Sequence, residues 1–83
     1  MANKKKVKVE PKIFAVISTD YTSGKELLVL NSTNFKYIVE SLPLYYERGS
    51  NMFMQVWYKG SIQQIYEYRD GALELVVDYE EEE

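Results

Sequence analysis

Apolar and polar residues alternate along much of this chain, and the alternation stops at short clusters of glycine, asparagine, aspartate and serine. A period of two puts successive side chains on opposite faces, so such stretches read as strands and the clusters as turns. Ile13 to Ser18 is a run of branched and aromatic residues, the composition of a buried strand. Asp20 to Lys25 is turn chemistry around Gly24, and Glu26 to Leu30 predicts the returning strand of a hairpin. Met52 to Tyr58, Ile62 to Tyr68 and Leu73 to Tyr79 predict three more strands. Lys59-Gly60-Ser61 and Asp70-Gly71 are the tight turns between them. Asp-Gly suits a type I′ turn, which needs positive φ at both central residues.

One segment has the helical period instead. Phe35, Ile38, Val39 and Leu42 recur at i, i+3, i+4 and i+7, which lays them on one face. Asn31, Ser32, Thr33 and Asn34 are all good N-cap types. Lys36 and Glu40 form an i,i+4 pair on the opposite face. Pro43 predicts the stop, because it has no N–H to donate and disfavours helix at Leu42. Leu44-Tyr45-Tyr46 then reads as a connection. The expected fold is α+β: an antiparallel sheet of about five strands packed on one helix, in the order strand-strand-helix-strand-strand-strand.

Strict alternation also predicts faces. Leu73, Leu75, Val77 and Tyr79 share one face of the last strand and are expected to meet the helix. Met52, Met54, Val56 and Tyr58 oppose Phe53, Gln55 and Trp57 in the third strand; Ile62, Gln64, Tyr66 and Tyr68 oppose Gln63, Ile65 and Glu67 in the fourth. The third strand is therefore apolar on both faces. One helix covers one face, so Phe53 and Trp57 are expected on the other, joined by Ile65 and Val76. Such a cluster calls for a cover, either a partner or the chain's own N-terminal arm.

Length and charge refine this picture. Eighty-three residues suffice for one domain with a thin core. Residues 1–11 read as a basic arm ending at Pro11, with Val7 and Val9 spaced for a short edge strand; residues 12–79 read as the domain and 80–83 as an acidic tail. Residues 1–12 hold five lysines against Glu10, a net of +4, whereas Asp78 and Glu80 to Glu83 give −5. With no apolar run near the length of a bilayer span and no leader-like segment at the start, the chain reads as a soluble, cytoplasmic protein with no membrane partner.

Chemistry is excluded more readily than assigned. The chain has no cysteine and no histidine, which removes disulfides, thiolates and the usual zinc, haem and iron–sulfur ligands. Its serines lack a histidine to activate them, and its four glycines are dispersed over separate turns rather than gathered in a phosphate loop. Asp20, Glu26, Glu40, Glu47, Glu67 and Asp70 are spread over turns and outward strand positions, without the facing pair that glycoside hydrolysis requires. The expectation is a non-enzymatic protein with no cofactor and no metal.

The aromatic content points elsewhere. Eight tyrosines, three phenylalanines and Trp57 exceed what so small a core can bury. Phe53, Trp57, Tyr45, Tyr46, Tyr66 and Tyr68 are the candidate partner-binding residues, since Tyr and Trp offer rigid area with a polar tip. The plainer account of these tyrosines is good strand material. Base stacking on single-stranded nucleic acid uses the same rings, but it needs cations around them. Residues 44–79 carry three cations against five acids, and only the lysine arm supplies more. In size and composition the chain is similar to small virus-encoded proteins that bind and inhibit host machinery, a likeness that rests on no motif. The reading is a protein-binding module, a regulator or inhibitor that occludes a surface of a larger protein, with a basic partner surface favoured by the flanking acids. Single-stranded nucleic-acid binding and a structural homodimer are the alternatives.

Overall fold

A computed structural model describes residues 11–80. The order of elements is β1 (Ile13–Asp20), β2 (Glu26–Ser32), α1 (Phe35–Tyr45), β3 (Ser50–Tyr58), β4 (Ser61–Arg69) and β5 (Ala72–Asp78). The five strands form one antiparallel sheet in the order β2-β1-β3-β4-β5, so the fold is α+β, with one helix among the described residues, after the second strand. The arm's Val7 and Val9, and the last three glutamates, lie outside the described residues.

Local chemistry accounts for the turns. Asp70 and Gly71 both have positive φ, 52° and 79°, as a type I′ turn demands. Lys59 and Gly60 repeat the pattern at 52° and 81°, although lysine is a poor residue for that region. In the β1–β2 connection the Asp20 carboxylate accepts from the Thr22 N–H at 2.7 Å, the Thr22 hydroxyl at 2.8 Å and the Ser23 N–H at 3.2 Å.

The helix starts where the cap residues predict. The Asn34 side chain accepts from the Tyr37 N–H, which satisfies one of the donors left free at a helix start. It does not stop at Pro43. The helix runs on through Leu44 to Tyr45, and Tyr46 N–H closes it on the Leu42 carbonyl at 3.1 Å. Pro43 forfeits one bond near the end of the helix, where few residues follow to need the continued ladder. Burial of Ile38 and Leu42 on the sheet, both essentially inaccessible, outweighs that loss. The buried stripe is Ile38, Ser41 and Leu42. Val39 and Phe35, expected on it, are 40% and 48% exposed. Ser41 is accommodated because its hydroxyl donates to the Tyr37 carbonyl at 2.8 Å.

The core joins Val16 of β1, Ile38 and Leu42 of α1, and Met52, Met54 and Val56 of β3. The helix packs over β2 and β1 and leaves the β4–β5 half of the same face largely to side chains. There Tyr66, Tyr68 and Leu73 pack at the core's edge, while Leu75 is exposed.

Three irregularities in pairing alter the expected faces. Between β3 and β4 the register moves from Val56↔Gln64 to Trp57↔Ile62, leaving Gln63 as the extra residue. Ile62 therefore lies beside Trp57, not on the helix side with Gln64 and Tyr66 as strict alternation predicts. Between β4 and β5 the pairs Tyr66↔Leu75 and Ile65↔Val77 leave Val76 as the extra residue. Leu73 and Leu75 keep the helix side, but Val77 crosses to the face of Ile65, in the place expected of Val76; Tyr79 falls beyond the strand. In β2 the pairs Val16↔Leu30 and Ile17↔Leu28 make Val29 the extra residue.

Candidate functional site

The face away from α1 is built from rows of side chains set by the strand register. One row runs Leu28, Ile17, Phe53, Glu67, Glu74 across β2, β1, β3, β4 and β5. The next runs Asn31, Ala15, Gln55, Ile65, Val77, and a third runs Ile13, Trp57, Ile62. Among the described residues no helix or strand covers this face. Leu28, Ile17, Phe53, Ile65 and Val77 make an apolar band from β2 to β5, with Gln55 and Asn31 beside it, an extent that favours burial against another layer.

A groove of about 380 Å³ runs along β1 on this face. Ala15 gives it a low floor, Leu28 and Trp57 form its sides, and Ile13 and Ile17 lie along it. The Trp57 indole donates to the Gln55 side-chain oxygen at 3.0 Å, which satisfies its one polar atom and holds the ring against the sheet. Lys59, in the β3–β4 turn, closes one end of the groove, with Nζ 5.4 Å from the centre of the Tyr58 ring.

The acidic side chains of this face gather on β4 and β5. At the end opposite Lys59, Glu67 and Glu74 are direct cross-strand neighbours, a repulsive pairing. Arg69 relieves it, at 2.8 Å from Glu67 and 4.0 Å from Glu74. Glu67 and Glu74 thus continue the Phe53 row across β4 and β5, and Arg69 stands one row further along.

The six aromatic candidates divide between two faces. Phe53 and Trp57 lie on the open one. Tyr66 and Tyr68 lie on the helix side, paired with Met54 and Met52. Tyr46 follows α1 and meets Tyr68 edge to face at 5.9 Å, and Tyr45, the last helical residue, is 44% exposed. One flat partner surface cannot touch both sets. Phe14, Phe35, Met54, Val56, Tyr66 and Leu73 instead border a second groove, of about 550 Å³, beside α1. The Phe14 and Phe35 rings meet there at 5.2 Å.

The residues that join Phe53 and Trp57 include several that aromatic content alone does not single out: Ile13, Ala15, Ile17 and Leu28. The signal for β1 was present, since Ile13-Phe14-Ala15-Val16-Ile17 is apolar in both phases. For Ile62 and Val77 it was not, because the bulges invert their phase. Among the described residues no three carboxylates gather to hold a metal ion, and no helix is long and apolar enough to cross a membrane. No protein-family model, curated protein or solved structure matches this chain.

Proposed function

We propose that this chain is a non-enzymatic protein-binding module that docks through its open sheet face and occludes a surface of a larger protein. The observation that carries the reading is the band of apolar side chains Leu28, Ile17, Phe53, Ile65 and Val77 that crosses all five strands, with the Ala15 groove beside it and no covering layer among the described residues. Phe53 and Trp57 are the anchors. Large aromatic rings with aliphatic neighbours, Ile17 beside Phe53 and Ile13 and Ile62 beside Trp57, are side chains of the kind that contribute most to binding. Glu67 and Glu74 at one end select a partner that is basic where it overlies them. A regulator or inhibitor needs no more than this, because occlusion requires area and fit rather than chemistry.

The test is capture from lysate by the wild type beside Phe53→Ala/Trp57→Ala, followed by binding of the purified captured protein. A partner held by the wild type, lost by the double variant and bound again in isolation supports the reading. Equal binding by a double variant that keeps its circular dichroism spectrum refutes it.

A further inference from the structure

The helix side of the sheet keeps a groove of its own. The helix packs over β2 and β1, and beside it Phe14, Phe35, Val56, Tyr66 and Leu73 border the opening of about 550 Å³. The strand register gives this groove a direction. One row beyond Tyr66, Tyr68 pairs with Met52 and meets Tyr46, so side chains fill that end. The other end lies at the row Phe14, Val56, Gln64, Asp78, where β1 begins and β5 finishes. Lys12, the residue before β1, lines the groove there.

We infer that this groove is the seat of the chain's own basic arm: residues 4–10 fold back from Lys12 across it, with Val7 and Val9 against its apolar wall and the lysines toward the β5 edge. The inference does not rest on the reading of the open face, and it leaves that face to a partner.

Three observations select the arm over any other cover. The first is attachment. Residues 1–10 join the domain through Pro11 and Lys12, so they start at the mouth of the groove. A tether this short holds them at an effective concentration on the order of millimolar, which a cover from solution must match. Ten extended residues reach about 33 Å. Phe14 and Asp78 are three strand spacings apart, about 14 Å. The arm is thus long enough to turn at Pro11 and still arrive at β5.

The second is pattern. Lys6-Val7-Lys8-Val9 alternates, so an extended arm presents both valines, about 6.8 Å apart, on one side and the lysines on the other. One apolar side and one cationic side suit a groove with an apolar wall and an acidic edge. The third is charge. Asp78 faces the helix side, where its carboxylate accepts from Gln64 Nε2 at 3.4 Å and from the Glu80 N–H at 3.1 Å. Neither Asp78 nor Glu80 forms an ion pair with another described residue. The cations at this end of the sheet, Lys12 and Lys59, stand on the β1 and β3 side. The groove of the open face has Lys59 at its corresponding end, which repels the same lysines. Charge therefore directs the arm across the helix side toward Asp78 and Glu80.

Nuclear magnetic resonance of the full chain tests this, through nuclear Overhauser contacts from the methyl groups of Val7 and Val9. The expected contacts are with the rings of Phe14, Phe35 and Tyr66. Val7→Ser/Val9→Ser is expected to shift the ring resonances of Phe35 and Tyr66 while the rest of the spectrum stays folded. Asp78→Asn/Glu80→Gln is expected to weaken docking about threefold, read as lost contact intensity at moderate salt. Valine methyls without contacts in the groove overturn the inference, and so do contacts to Ile17 or Trp57 on the open face. Contacts that run between copies in a sample of mixed isotope labels overturn it too, as do groove resonances indifferent to both variants.

Discussion

The indole of Trp57 is tied to the amide of Gln55, two residues back on the same face of β3, by a 3.0 Å hydrogen bond. An aromatic anchor is thus oriented by its own strand before anything binds. Ordering it beforehand lowers the entropy lost on association. Gln55→Ala is expected to cost the fold about 1 kcal/mol or less. It should lower the fluorescence anisotropy of Trp57 and weaken binding at the open face. Unchanged anisotropy would show that packing alone holds the ring.

The core is thin, and α1 is held by few residues. Leu42→Ala and Ile38→Ala each remove a side chain that is essentially inaccessible. Each is expected to cost about 2–5 kcal/mol, a large part of the whole stability of a small domain. Urea unfolding measures it, and a loss below about 1 kcal/mol would mean that the helix contributes little to the fold.

Pro43 is a helical residue that cannot donate to the Val39 carbonyl. Pro43→Ala restores the donor and gains helix propensity, offset in part by a freer unfolded chain. The expected outcome is a gain of about 1–2 kcal/mol in urea unfolding, with the helical signal preserved. Destabilisation would reveal that the ring itself is needed at this position.

Gly71 holds φ 79° in the turn that sets the β4–β5 register. A Cβ there meets no neighbouring atom, so the cost of Gly71→Ala is backbone strain alone. It is expected at about 1–2 kcal/mol, read from the thermal midpoint. The same change on a clashing glycine would cost more, and a neutral result would mean that the turn relaxes freely.

Asp20 has its pKa lowered, first by the Thr22 hydroxyl and then by the Ser23 and Thr22 N–H groups, against a smaller opposing effect of burial. A carboxyl depressed in the folded state stabilises above its unfolded pKa, near about 4, and loses that contribution as pH falls through the lower folded value. Asp20→Asn keeps an acceptor but not the charge. Its thermal midpoint is expected to lie below the wild type at neutral pH and to converge with it in acid. A gap independent of pH would place the effect in shape rather than in ionisation.

The elements and their order were legible in the residues. Strand boundaries followed alternation and turn chemistry to within about two residues, because the period of two and the positive-φ turns are local properties. Asn34 capped the helix as its type predicts, and Met52, Met54 and Val56 took the core side of β3 while Phe53 and Trp57 took the other. That much of the candidate site was visible from one strand alone. Its division was not: Tyr66 and Tyr68, candidates on the same aromatic grounds, lie on the helix side.

Sequence alone determined the local vocabulary of this protein: five strands, one helix, the turns, the absence of thiol and imidazole side chains, and a central strand apolar on both faces. Tertiary structure decided three things. It carried α1 through Pro43, since burial of Ile38 and Leu42 outweighs one missing hydrogen bond near a helix end. It placed β1 between β2 and β3, a pairing between strands distant in the chain that no local pattern specifies. And it moved Ile62 and Val77 onto the open face through bulges at Gln63 and Val76. A bulge adds one residue to one strand and reverses the phase of all that follows. Its place is set by how neighbouring strands twist and pack together, which a single strand's alternation does not record.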